Sequence, residues 1–242
     1  MKMDTSFWIQ CNPKITVEHT TKKYFGRYLY KIVVYAPAGR LIDNKDPLDQ
    51  ALAHRKDVTK HINYGGYWGH RANKDLDRAN LPLLEVLRDL RKNADNIKLR
   101  VEEPRIQIYA KTESELKDLI SSHFQPFTTN IESFAGPADV DAEIFLNSGA
   151  IIRKTNNGYS HKVILRDGRY TNDIKSSISQ YLNGLGEDLV GVPASCQDML
   201  VKSSGYIWNA YFYTNDPSVI MFLNLMHPGL VLNCHELVVQ NK

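Results

Sequence analysis

The chain has 242 residues, 43% of them hydrophobic, with a net charge of +3, which is enough apolar content for ordinary globular cores and excludes a low-complexity polymer. No run approaches the roughly 18–20 apolar residues of a membrane span, and residues 1–8 (Met-Lys-Met-Asp-Thr-Ser-Phe-Trp) lack the apolar core and small-residue cleavage site of a signal peptide. Cys11, Cys196 and Cys234 are odd in number, far apart and without a CxxC spacing, so neither a disulfide framework nor a zinc site is expected, and a reducing cytoplasm is the default compartment.

Charge is unevenly shared. Residues 1–135 hold 22 Lys/Arg against 17 Asp/Glu, a net of +5, and residues 136–242 hold 8 against 10, a net of −2. A polyanion would therefore meet the first half.

In chain order, residues 15–30 read as a hairpin leading into the strand Lys31-Ile-Val-Val-Tyr-Ala-Pro-Ala-Gly-Arg40. A helix follows, with Asn80 as its cap, Pro82 in its first turn, and Leu83, Leu84, Leu87 and Leu90 on one face. Strands are expected at 97–101 and 105–111. Thr112 then caps a helix whose first residue is the acidic Glu113. The stretch Ala135-Gly-Pro-Ala-Asp-Val-Asp-Ala142 reads as a linker.

The pattern then returns. Residues 150–161 read as a hairpin around Thr155-Asn-Asn-Gly158, and Lys162-Val-Ile-Leu-Arg-Asp-Gly-Arg169 matches the strand at 31–40. A helix with Ile174, Ile178, Tyr181, Leu182 and Leu185 on one face starts at Thr171/Asn172. A short strand at 189–192, a strand at 206–213 and a helix capped by Asn215, with the acidic Asp216 next, complete the series. A constant offset of 103 pairs Leu116 with Val219, Leu119 with Phe222, Ile120 with Leu223 and Asn130 with Asn233. The fold class expected is α+β: two tandem ferredoxin-like (split βαβ) domains from an internal duplication, with antiparallel sheets and helices on one face. The first covers residues 1–135 and the second 143–242.

Lys31 and Lys162 differ by 131 positions, so the first copy carries about 28 residues between Arg40 and Asn80 that the second lacks. An insertion on a repeated scaffold need not serve the core, which makes residues 43–80 the place to look for function. Its first part has helical features, with Pro47 in the first turn, Leu48 and Leu52 on one side, and His54, Arg55, Lys56 and Lys60 elsewhere. It runs into His61-Ile-Asn-Tyr-Gly-Gly-Tyr-Trp-Gly-His70-Arg71. Aromatic faces stack on unpaired bases, basic groups hold phosphates, and glycines allow close backbone approach. Arg40, Arg55, Lys56, Lys60, His61, Tyr64, Tyr67, Trp68, His70 and Arg71 are accordingly the candidate residues for binding single-stranded RNA or DNA. The competing explanation is that the insertion's aromatics form a small satellite core.

The strand at 206–213 offers a second aromatic surface, with Tyr206, Trp208, Ala210 and Phe212 on one face and Ile207, Asn209, Tyr211 and Tyr213 on the other. Open sheet faces of this kind carry stacking aromatics in RNA-recognition domains, but core packing accounts for them better. The architecture resembles that of the CRISPR RNA-processing endoribonucleases, in which histidines perform metal-independent cleavage. The glycine-rich loop of that family is represented only by His227-Pro-Gly229, and no membership is assigned. His61 or His70 is the candidate general acid or base in that alternative. A third alternative is a non-enzymatic assembly subunit with a protein partner or a homo-oligomer. Asp43, Asp46 and Asp49 are better explained as solvated helix-start acids than as a Mg²⁺ site, and no cofactor-binding motif is present.

Overall fold

The computed structural model describes residues 5–61, 78–93, 96–155, 157–202 and 205–239, with residues 55–61 described as backbone only. The protein is mixed α+β, with two five-stranded sheets and helices. It divides into two compact units, Met1–Glu143 and Ile144–Lys242. Among the described residues no helix is long and apolar enough to cross a membrane.

The first unit contains α1 (Ser6–Cys11), β1 (Thr16–His19), β2 (Tyr30–Tyr35), a 3₁₀ turn (Gly39–Asp43), α2 (Leu48–His61), α3 (Leu81–Asn93), β3 (Lys98–Glu102), β4 (Arg105–Ala110), α4 (Glu113–Leu119) and β5 (Ile131–Gly136). Its sheet order is β1-β5-β2-β4-β3. The hairpin expected before β2 does not form as a direct pair. β1 instead lies beyond β5 and runs parallel to it, from Thr16 opposite Ser133 to His19 opposite Gly136. The reason is the length of the connection. Residues 20–29 can cross two interstrand spacings of about 5 Å each, so β5 fits between the two arms. The sheet is therefore mixed, which corrects the expectation of an antiparallel one.

Side chains directly opposite one another in a sheet share a face. The row Phe134, Ile32, Ile108, Leu99 and the row Ile131, Val34, Ile106, Val101 form the apolar face. All but the half-buried Leu99 and Val101 are buried, as are Leu83, Leu84, Leu87 and Leu90 of α3 and Leu116 and Leu119 of α4. Thr112 caps α4 as expected. Its hydroxyl accepts from the Glu115 amide (3.3 Å), and the Glu115 carboxylate accepts from the Thr112 amide (3.0 Å), which forms a capping box.

The stretch expected to be a linker is structured. Ala135 and Gly136 close β5, and α5 (Val140–Ser148) follows. The acidic residues there serve the helix start: Asp139 accepts from the Ala142 amide (2.8 Å), with Asp141 and Glu143 in the first turn.

The second unit holds β6 (Ile151–Arg153), β7 (His161–Leu165), β8 (Gly168–Arg169), α6 (Asn172–Gly184), β9 (Val190–Gly191), α7 (Ala194–Val201), β10 (Tyr206–Ile207), β11 (Tyr211–Thr214), α8 (Ser218–Met226) and β12 (Val231–Val239). The five-stranded order is β6-β12-β7-β11-β9, with β6 parallel to β12. The second expected hairpin is thus split in the same way, by β12. Val163, Leu165, Phe212 and Leu230 join Ile178 and Leu182 of α6, Leu200 of α7, and Val219 and Leu223 of α8 in one core.

Two local expectations fail here. The strand expected at 206–213 is broken, because Asn209 adopts a left-handed conformation (φ +51°) and its amide donates to Asp167 Oδ1 (2.7 Å). The break shifts the alternation, so Ile207 and Phe212, an odd number of positions apart, are both fully buried. β10 pairs with β8 in a separate two-stranded sheet. Nor is Asn215 the cap of α8. Its side chain accepts from the Ser160 amide and donates to the carbonyls of Gly158 and Asp188. Pro217 occupies the cap position, and Asp216 just before it accepts from Ser218 N (2.8 Å) and Oγ (2.6 Å), bonds that hold its carboxyl below the ordinary range.

Lys175 on α6 is buried, and its ammonium donates to the Lys202 carbonyl just past the end of α7. A cation there satisfies an orphan carbonyl and meets the negative end of the helix dipole. Lys175→Met is expected to cost about 1.5–3 kcal/mol, the worth of a hydrogen bond from a charged donor, read as a lower urea midpoint at unchanged slope. No shift of midpoint would refute this role.

Candidate functional site

The open face of the first sheet contains the row Ala135, Lys31, Tyr109, Lys98 and the row Ser133, Val33, Gln107, Arg100. Tyr109 is nearly fully buried even on this face, because the connection from β1 to β2 folds back over it. Tyr24, Phe25 and Tyr28 place their ring centroids 5.2, 5.0 and 6.3 Å from that of Tyr109.

The fold-back is a tight turn. Tyr24 N donates to Tyr28 O (2.8 Å) and Arg27 N to Tyr24 O (3.0 Å). The two central residues, Phe25 (φ +52°) and Gly26 (φ +68°), are both left-handed, as in a type I′ turn. Glycine suits that conformation and a bulky aromatic does not. Holding Phe25 there costs on the order of 1–3 kcal/mol. Its ring is 50% exposed and stands edge-on to Tyr109 at 88°.

Cations surround these rings. Lys98 Nζ lies 3.8 Å from the Phe25 centroid, Lys31 Nζ 5.4 Å from that of Tyr24, and the Arg27 guanidinium 5.6 Å from that of Tyr28. Lys22 and Lys23 precede the turn. Two carboxylates offset part of this charge: Glu18 lies 3.9 Å from Lys31, and Glu102 pairs with Arg100 at 2.7 Å. Gln107 donates to Glu102 (2.5 Å) and accepts from the Tyr109 hydroxyl. Burial is the main cause that raises the pKa of Tyr24 and Tyr109, so both phenols stay neutral at physiological pH.

Of the residues expected from the sequence, only Arg40 is described with its side chain. It is exposed, its amide donates to Glu103 Oε1 (3.2 Å), and its Nε lies 4.0 Å from Glu103 Oε2. It is not among the groups that meet Tyr109. Arg55, Lys56, Lys60 and His61 belong to α2, but their side chains lie outside the described residues. Tyr64, Tyr67, Trp68, His70 and Arg71 lie wholly outside them.

The turn was missed although Lys22-Lys23-Tyr24-Phe25-Gly26-Arg27-Tyr28 carries the same ingredients as the insertion: cations, aromatics and a glycine.

Other chemistry is weakly supported. Asp43 is committed to Arg91 (2.7 Å), which removes it from a carboxylate row with Asp46 and Asp49. Among the described residues no group of His, Cys, Asp and Glu could hold a metal. Ser177 Oγ lies 2.8 Å from His227 Nε2 but also donates to the Ile174 carbonyl (2.8 Å). With its one proton given to that carbonyl, the serine is an acceptor from His227 and not an activated nucleophile. Burial pushes the Cys196 thiol up to about 11, which leaves it unreactive.

No family model, curated protein or solved structure matches this chain.

Proposed function

We propose that this protein binds single-stranded nucleic acid through the Tyr24–Tyr28 turn and the adjoining open face of the first sheet. The observation that carries this reading is Phe25, an exposed aromatic held in a costly backbone conformation with the Lys98 ammonium over its ring. Lys98 covers the ring and would have to be displaced. A cation–π contact at an exposed site is worth about 0.5–1 kcal/mol, whereas base–aromatic stacking is worth about 1–3 kcal/mol. The base therefore wins the ring, and Lys98 is freed for a phosphate. The insertion residues 55–71 are proposed as an additional contact from their sequence.

We also propose that the two units are ferredoxin-like domains that arose by duplication. Their support is a shared order: when β1 and β6 are set aside, both sheets run fourth, first, third, second strand. The three free thiols fit a reducing compartment such as the cytoplasm.

Docking of a protein partner, or of a second copy, is the alternative. It is favoured by α8, whose Met221, Phe222 and Leu225 are all more than half exposed on an almost wholly apolar helix.

Fluorescence anisotropy with labelled single-stranded RNA, single-stranded DNA and duplex DNA at two salt concentrations tests the first reading. Binding to single strands that weakens as salt rises is expected. No binding at low salt would reject it, and a concentration-dependent mass in light scattering would then favour the alternative.

A further inference from the structure

The open face of the second sheet repeats the arrangement of the first. Lys31 sits directly opposite Tyr109 on the neighbouring strand, and Lys162 sits directly opposite Tyr213. In each unit a tyrosine from the segment before that lysine reaches the opposite tyrosine: Tyr24 contacts Tyr109, and Tyr159 lies nearly parallel to Tyr213 at 15°, with centroids 5.9 Å apart. Tyr211 adds an edge-on ring 5.5 Å from Tyr213.

The second cluster is rigidly held. Tyr159 lies flush over Gly191, where any Cβ would come within 2.6 Å of its ring. Its hydroxyl donates to the Glu187 carbonyl (2.5 Å). Tyr159 also borders a cleft of about 290 Å³ that reaches Gln197.

Two cations stand over these rings. Lys162 Nζ is 3.6 Å from the Tyr211 centroid, and the Arg153 guanidinium is 5.3 Å from that of Tyr213. Arg153 Nη1 is buried and has no hydrogen-bond partner among the described residues. A buried charged donor without an acceptor is costly, and a phosphate oxygen beside Tyr213 would satisfy it in the geometry a guanidinium favours.

We infer that Tyr159, Tyr211, Tyr213, Lys162 and Arg153 form a second site that takes one nucleotide of a single strand, with its base on the tyrosines and its phosphate on Arg153 and Lys162. The ligand class rests on the reading of the first unit, but the site itself does not. Isothermal titration of the full chain with pentaadenylate tests it. Two equivalents per chain are expected, falling to one in Arg153→Gln/Lys162→Gln. Arg153→Lys, which keeps the charge but loses the planar fork, is expected to weaken the same site about tenfold, and it guards against a folding defect in the double variant. One equivalent that neither change affects would overturn this site and leave the first unit's reading standing. One equivalent lost in the double variant but kept in Phe25→Gly would do the reverse. No binding would overturn both. AMP filling the site as tightly as the pentamer would overturn the assignment to a strand.

Discussion

Replacing Phe25 with glycine is expected to weaken single-strand binding about 5- to 150-fold, the loss of roughly 1–3 kcal/mol of base stacking, while leaving fold stability within about 1 kcal/mol. The two effects separate because they draw on different contacts. Phe25 is half exposed to solvent, and its exposed part is the one proposed to stack on a base. Glycine takes a left-handed conformation without steric penalty, so backbone strain is relieved. The lost edge contact to Tyr109 and the lost Lys98 contact, each about 0.5–1.5 kcal/mol, offset that relief. Anisotropy and urea denaturation of the same preparation read both quantities. Unchanged affinity would remove the turn from the binding surface, and a large loss of stability would make Phe25 a structural residue.

Trp8→Ala is expected to destabilise the first unit by about 3–5 kcal/mol, a large share of the 5–15 kcal/mol typical of a domain. Trp8 is fully buried although it lies on a six-residue helix near the start of the chain. Its ring stacks on Phe134 at 3.9 Å and 13°, and Phe7 meets it edge-on. Nε1 donates to Glu113 Oε1 (2.9 Å) in the first turn of α4, and Lys117 completes that carboxylate's pairing at the same distance. Trp8→Phe keeps most of the stacking and loses the donor, so it should cost less than the alanine change. Chemical denaturation of both variants checks this order. A cost below about 1 kcal/mol for Trp8→Ala would mean that α1 does not support the core.

Local periodicity in the sequence located what is locally determined. The leucines of α3, the Ile178/Leu182 face of α6, and the Thr112 and Thr171 caps all follow from spacing and capping chemistry within one or two turns. Features set by distant partners were not legible. Nothing near Thr16–His19 says that its partner is β5, more than a hundred residues away, and nothing near Trp8 names Phe134. Single left-handed residues also escaped notice. Asn209 broke a strand whose alternation looked continuous, and Phe25 turned a presumed scaffold loop into an exposed aromatic tip. Of the expected site, the structure describes only the Arg40 side chain, bound to Glu103.

The parallel pairing of β1 with β5 has a consequence during synthesis. Within this unit α1 and β1 are synthesised well before their partners, Phe134 and the strand Ile131–Gly136. At about 5–20 residues per second, the leading segment waits on the order of ten seconds with Trp8 and one strand edge unsatisfied. In that interval the nascent chain exposes an aromatic hook and an open backbone ladder. Because α1 and β1 both depend on β5, losing either end of the unit should unravel the other.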